Sequence, residues 1–552
     1  MIFDLNKDDV KKEYDICIVG TGPAGIVLVN ELAKTGKKIC ILESGGIKKS
    51  AKTDALRETK SDGIKIKTYS RERVFGGASK TWAGLSSLYD SDDFNSKQWS
   101  KYLSWPISYE ELLPYYKKAV TYKFPNINLF STKSVLSKKI ANQTQLFFHN
   151  DSLQDKMFIA SASPKRFAEY YDIFVNSDDV DLFLHATVGE IRKDKNNSTS
   201  SDGVVVYKSN GDKRFISARK IIIAAGGIDN AVILLNSKSF GLQGLGNGHD
   251  VVGRFLMNHP KSNCGIIELH TPIKKAPYYF GAMIDGYAAY AGIQLTKTFR
   301  EEKQLLNSYL RLEPMFPWSD SKGVESLITI ITNSKVIFSN WKKLNKNKLV
   351  YLRDYSETGD DSGIKNNHRS VKGFVKLLFY ITSDISMVGQ YVFYRLFSKL
   401  NPSISKVRIR NFMEMEPEWS NRITLSEEVN GLSIPVPIVA HSVTKKDKES
   451  MIVLHKVLFD TVSSSNIGVF KSPLLDNSIL GKDWPINQDA SHYIGTTRMG
   501  DNPETSVVDG NCRIHGINNV YVAGSSIFAT SGCVNPTLTI AALAIRLAKH
   551  LK

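Results

Sequence analysis

Cysteine is scarce in these 552 residues: there are five, at Cys17, Cys40, Cys264, Cys512 and Cys533. The number is odd, and no CxxC or Cys/His metal spacing occurs. A disulfide framework is therefore excluded, no metal is expected, and a reducing compartment fits better. Cys17 and Cys40 lie in apolar runs, where a thiol behaves as a small buried hydrophobe. No uncharged run of 18 residues exists, which argues against a membrane-spanning helix. The opening MIFDLNKDDVKKEYD has neither the apolar core nor the small-residue cleavage site of a secretory signal. A cytoplasmic location is expected. No RNA- or DNA-binding signature appears, although Lys and Arg total 72 against 55 acids, a net charge of +17. The lysines are scattered, so a solvated basic surface is the reading, with nucleic acid set aside. A basic balance also suits anionic substrates or membrane surfaces.

What is present divides the chain. At this length one core does not suffice, and 42% apolar content is enough for two or more domains. Tyr14 to Val19 reads as a strand buried on both faces. It leads into Gly20-Thr21-Gly22-Pro23-Ala24-Gly25, then helical apolar spacing from Ile26 to Thr35, then a second apolar run from Lys38 to Leu42 closed by Glu43. Strand, glycine turn, helix, strand and acid in this order read as an α/β dinucleotide-binding unit of Rossmann type. Gly20 allows the tight turn, Gly22 lets backbone approach a pyrophosphate, and Gly25 lets the helix pack on the strand. Pro23 and Ala24 belong to the turn, and the N-terminus of the helix that follows offers free N–H groups and a positive dipole end to the phosphates. Glu43 is placed to accept from ribose hydroxyls, which favours FAD or NAD over NADP.

A second glycine segment separates those two. In Arg73-Val74-Phe75-Gly76-Gly77-Ala78-Ser79-Lys80-Thr81-Trp82-Ala83-Gly84 the small residues let backbone press against a flat ligand, with Arg73, Gly77, Ser79, Trp82 and Gly84 as candidate contacts. Asp181 to Ile191 reads as one strand carrying Val188. Lys220 to Ala225 reads as another, followed by Gly226-Gly227 and a helix from Asp229. Val188 and Ala225 join the cofactor set. Strands returning to a nucleotide fold so far along the chain are typical of FAD proteins.

The tail sets His492 before a Gly-Thr turn and Asn535 before Pro536 and an apolar helix. Together with GTGPAG, GGASKTWAG, WPISYEELLPYY, KIIIAAGGIDNAVILL, DVVGRFLMNHP and EMEPEWSNRITLS, it resembles the glucose-methanol-choline oxidoreductase family. The likeness is greatest to the sugar-acting branch of pyranose 2-oxidases and bacterial sugar dehydrogenases. The weakest stretch is roughly 261–410. The resemblance implies a discontinuous FAD domain at 1–260, with a substrate-domain insertion near 96–175. It further implies a sheet-containing α+β substrate domain at 261–489 and a segment at 490–552 that completes the FAD domain and active site. It makes His492 the catalytic base and Asn535 its partner, with Gly524, Ser525, Pro536 and Thr537 against the flavin. Thr81 stands where pyranose 2-oxidases carry the histidine that bonds covalently to flavin, so FAD is expected to be non-covalent.

The chemistry suits those types. Alcohol oxidation removes a hydride, which flavin N5 can take, and a proton, which neutral histidine can take. Asparagine can orient the same hydroxyl without titrating. It is also a good N-cap for the helix begun by Pro536. Cys533 is not needed, and His259 in NHP reads as structural. The expectation is an FAD-dependent dehydrogenase, rather than an oxidase, acting on a sugar or polyol, free or conjugated. Its acceptor is left open among quinone, oxygen and protein. A flavin-containing lyase without net redox, and a binding or scaffold flavoprotein, are the alternatives. Finally, Val371 to Leu400 is apolar with helical spacing. It reads as one or two helices packed in the substrate domain or at a dimer contact, or else as an interfacial helix at the inner face of the membrane.

Overall fold

The computed structural model describes residues 1–8, 13–148, 150–161, 166–333, 371–397, 403–476, 479 and 484–552. The lysine run at 342–348 and the last three residues of the apolar stretch, 398–400, lie outside that set.

An eight-stranded sheet organises the nucleotide-binding half. Its strands run in the order Ile2–Asp4, Val180–Leu184, Ile39–Leu42, Glu13–Val19, Lys213–Ile223, Ser201–Tyr207 and Thr187–Lys193, with Val520–Val522 also paired to Lys213–Ile223. The pairs from Ile2–Asp4 to Lys213–Ile223 are parallel, as is the one to Val520–Val522. The last two strands are antiparallel. The central parallel strands are buried on both faces, as the apolar runs ICIL and ICIV require, with helix Pro23–Leu32 packed against them. Cys17 and Cys40 are register partners in this sheet, wholly buried and free.

Two local expectations are corrected. The strand expected at 181–191 is two strands, broken where His185 adopts φ +54 and its Nδ1 bonds Asp4 Oδ1 at 2.9 Å. That left-handed residue turns the chain out of the parallel ladder. The first helix spans Pro23–Leu32, not 26–35. Proline at its first position loses nothing, because that N–H has no partner within a helix. A Cβ on Gly25 would sit 1.9 Å from the Gly20 carbonyl oxygen, so only glycine lets the helix settle on the turn.

A second sheet is antiparallel throughout. It runs Ala282–Ile284, Tyr287–Leu295, Tyr309–Met315, Ile404–Phe412, Lys261–Ile273 and Gly468–Lys471, with Leu153–Ser161 paired to Tyr287–Leu295. A small third sheet joins Arg422–Val429, Pro435–His441 and Lys60–Gly63. The C-terminal helix Thr537–Leu551 packs on Pro23–Leu32 and on Tyr109–Ala119, where Tyr116 and Thr539 share a 2.8 Å hydrogen bond. One apolar core runs through both large sheets.

The apolar stretch forms two helices, Val371–Ser383 and Ile385–Phe397, set against Lys322–Asn333. Leu377, Val388 and Tyr391 are buried. Phe374, Leu378, Phe379, Ile385, Phe393 and Leu396 are exposed, Phe379 and Phe393 by 64% and 65%. The broad apolar stripe therefore faces outward. Among the described residues no helix is long and apolar enough to cross a membrane.

Candidate active site

A cavity of about 890 Å³ lies between the two large sheets, at the upper end of ordinary ligand sites. It gathers the sequence-derived residues from every part of the chain: the turn Gly20, Gly22, Pro23 and Ala24, then Glu43, then Arg73, Gly77, Ser79, Trp82 and Gly84, then Val188 and Ala225, and finally His492, Gly524, Ser525 and Asn535 to Thr537. Gly25 alone of the candidates is not on its wall. It acts one layer back, where the helix meets the turn.

The two glycine segments touch. Gly77 has φ +52, and a Cβ there would lie 2.9 Å from the Gly22 Cα. Thr21 bridges them: its hydroxyl bonds the Glu43 carboxylate and accepts from the Gly76 N–H at 3.1 Å. The other Glu43 oxygen accepts from the Gly45 N–H at 2.8 Å. Arg71 and Arg73 both reach Asp229 at 2.8 Å. Two helix N-termini, at Pro23 and Thr537, meet the cavity without a side-chain cap. Uncapped N–H groups, a glycine cradle and a carboxylate form the donor and acceptor set that the phosphates and ribose of a dinucleotide require. The residues present fit FAD.

At the other wall His492 and Asn535 come together, Asn535 Nδ2 donating to His492 Nε2 at 3.3 Å. Asn535 does not cap the last helix. Pro536 occupies the cap position and no side chain bonds the free N–H groups there. The amide is turned to the histidine instead.

His259, read from sequence as structural, is in fact the neighbour of His492. Their Nδ1 atoms are 2.9 Å apart. His259 Nε2 reaches the carbonyls of Ser531 and Gly532 at 3.1 and 2.9 Å. Carbonyls only accept, so Nε2 carries a proton. Burial pushes the His259 pKa down to about 4, and the ring is neutral at ordinary pH with a lone pair on Nδ1. His492 must then donate from its own Nδ1, which leaves its Nε2 as the basic nitrogen, facing Asn535. The protein's own carbonyls thus fix the tautomer that proton abstraction needs.

The histidines are juxtaposed by strand-like pairing of Met257 with Ile494 and Lys261 with Gln488. Asn258 Oδ1 receives both the His259 and His492 backbone N–H groups, at 2.8 and 3.2 Å. Its amide donates to the buried Asp489 at 2.6 Å. Asp489 also accepts from the Ser491 N–H and the Tyr493 hydroxyl. The loop carrying Cys533 is held from behind by Glu414, which accepts from the Gly532 N–H at 3.0 Å. Burial raises the Glu414 carboxyl to about 7 and pushes the Cys533 thiol far up, so that sulfur is no nucleophile. Asn258 and Asp489 escaped the sequence reading, and His259 entered it only as a structural residue of the NHP triplet that heads strand Lys261–Ile273.

Residues 417–544 match the family model described as GMC oxidoreductase. Paromamine 6'-oxidase of Streptomyces fradiae is 29% identical over 152 residues, 28% of this chain and 26% of that protein. The fructose dehydrogenase large subunit of Gluconobacter japonicus is 24% identical over 374 residues, 66% of this chain and 53% of the other. The chain therefore spans between about a quarter and about half the length of these curated relatives. In fold it superposes on pyridoxine 4-oxidase with a TM-score of 0.56 at 13% identity, covering 97% of this chain and 99% of that one. The chain thus carries a region similar to the GMC oxidoreductase model at 417–544, within a fold shared from end to end with pyridoxine 4-oxidase.

Proposed function

We propose that this chain is an FAD-dependent oxidoreductase that oxidises an alcohol group of a sugar or sugar-like polyol, with His492 as base and Asn535 as the second hydroxyl clamp. One observation carries the reading: the hydrogen-bonded His492–Asn535 pair sits on the wall of the same cavity as the glycine turn. Bound FAD would supply the hydride acceptor. The turn at Gly20–Ala24 and Glu43 would hold its phosphates and ribose. Gly77, Ser79, Trp82, Gly84 and the Gly524–Ser525 and Pro536–Thr537 corners would flank the ring. Thr81 offers only a hydroxyl, bonded back to the Ala78 carbonyl at 3.2 Å, so the cofactor is held without a covalent bond. The chain's own task is to take the hydroxyl proton at His492 Nε2 and fix the carbon in reach. The family and the two sugar-acting relatives support the sugar class. Within this reading, the first and second sheets form the FAD-binding and substrate domains of the order 1–260, 261–489 and 490–552.

The test is anaerobic addition of a panel of sugars and polyols to the yellow holoprotein. At least one bleaches the flavin, acid precipitation strips the colour beforehand, and a quinone restores it faster than oxygen does. A panel that turns over without bleaching favours a lyase, and no bleaching at all sinks the oxidoreductase.

The outward apolar face of helices Val371–Ser383 and Ile385–Phe397 supports a peripheral membrane contact. Lys376 stands exposed on it, on a chain of net charge +17. The protein should sediment with anionic vesicles, and Phe379→Glu with Phe393→Glu should abolish this. Equal recovery with and without vesicles removes the reading.

A further inference from the structure

Every carboxylate on the cavity wall is already engaged. Asp229 serves Arg71 and Arg73, Glu43 serves Thr21 and Gly45, Glu72 serves Lys49 and Arg57, and Asp489 serves Asn258 and Tyr493. The most deeply buried arginine of that wall among the described residues, Arg311, is not. Arg311, on strand Tyr309–Met315, is only 3% exposed. Its Nε and Nη2 have no hydrogen-bond partner, and among the described residues no carboxylate forms an ion pair with it. The acid two residues on, Glu313, pairs instead with Arg410 at 3.6 Å, and Arg410 is the register partner of Arg311 on the adjacent strand. The guanidinium lies 4.5 Å over the Tyr290 ring, which fixes its plane but leaves its N–H fork unsatisfied. A second buried cation, Lys261, lines the same wall from the strand beyond Ile404–Phe412.

Burying a guanidinium without partners is costly, and the planar fork matches the paired oxygens of a carboxylate or phosphate. We propose that Arg311 is the anion-recognising element of the substrate cavity, so that the preferred substrate carries a carboxylate or phosphate group besides the hydroxyl that is oxidised. This rests on the reading of the cavity as a sugar oxidoreductase site, and it deepens that reading by naming the substrate's charge. The +17 balance of the whole chain would draw such an anion inward.

The experiment is equilibrium titration of the flavin absorbance of the intact holoprotein with D-glucose, D-glucuronate and glucose 6-phosphate, in wild type, R311Q and R311K. It reads binding, so it stands even if none of the three is oxidised, and the turnover panel above judges the oxidoreductase reading separately. At least one anion binds about tenfold or more tightly than glucose, and which anion does so identifies carboxylate or phosphate. In R311Q that preference falls by about 30-fold or more, with R311K intermediate because it keeps the charge but not the fork. Retained flavin colour shows that each variant is folded. The proposal is overturned if neither anion outcompetes glucose or if the preference survives in R311Q. Loss of bound flavin from R311Q would also overturn it, since Arg311 would then serve the cofactor.

Discussion

Replacing His492 by alanine is expected to slow substrate-driven flavin bleaching by ~10²–10⁴-fold, the usual worth of a positioned general base. Few groups beside the reacting position can take a proton. Asn535 and the carbonyls of Ser531 and Gly532 cannot take a proton at working pH, and His259 is already committed through Nε2. His492 Nε2 is therefore the basic position beside the asparagine. The variant also leaves His259 Nδ1, a buried acceptor, without its donor, at a cost of about 1–3 kcal/mol in stability. Flavin absorbance and the thermal midpoint measured on the same sample separate that structural cost from the chemical one. Single-turnover bleaching in stopped flow is the decisive reading. A holoprotein variant that bleaches at the wild-type rate would exclude His492 as the base. Asn535→Ala should cost less, because it removes orientation but not the base, and should act on the same single-turnover step.

The parts of this site that are local in sequence were legible there. Gly20 to Gly25 announce themselves because strand, turn and helix follow one another without interruption, and a Cβ at Gly25 has no room. The Arg73–Gly84 segment and the tail were legible for the same reason. What could not be read is whatever depends on pairing between distant segments. Nothing in NHP tells that His259 faces a residue 233 positions away, because that follows from the Met257–Ile494 and Lys261–Gln488 pairings. Strand 181–191 failed at a single dihedral, the positive φ of His185, which no apolar pattern signals. Arg311 was invisible for a different reason. Tyr309, Arg311 and Glu313 alternate like any half-exposed strand, within the stretch 261–410 where the sequence offered little pattern. Only the cavity shows that this face of the strand is turned inward. The apolar stripe at 371–397 erred in the opposite direction: periodicity found the helices but could not say that Leu377, Val388 and Tyr391 would do the packing while much of the stripe faced outward.

Because His259 holds the tautomer of His492, its own replacement is expected to slow the reaction. In His259→Phe the ring keeps its bulk, but His492 Nδ1 loses the acceptor 2.9 Å away. Both neutral tautomers of His492 then compete, and the productive one is no longer enforced. Bleaching should fall on the order of a hundredfold, the scale at which misplacement of a reacting group is felt. A merely structural role could produce that number, so the pH profile carries the proof. An acceptor at Nδ1 favours the charged imidazolium, hence its removal moves the acid limb of kcat/KM to lower pH. His259→Gln, whose side-chain carbonyl can accept from Nδ1, should bring the limb back toward the wild-type position. The window must avoid a separate effect. The folded pKa of His259, about 4, lies below its unfolded value of ~6.5. The stability gained by keeping it neutral is therefore complete above the unfolded value and is lost as pH falls toward the folded one. Profiles taken above about pH 6 keep most of that stability. A His259→Phe enzyme that is slow yet has an unmoved acid limb would make the second histidine a packing residue, and the tautomer of His492 would need another origin.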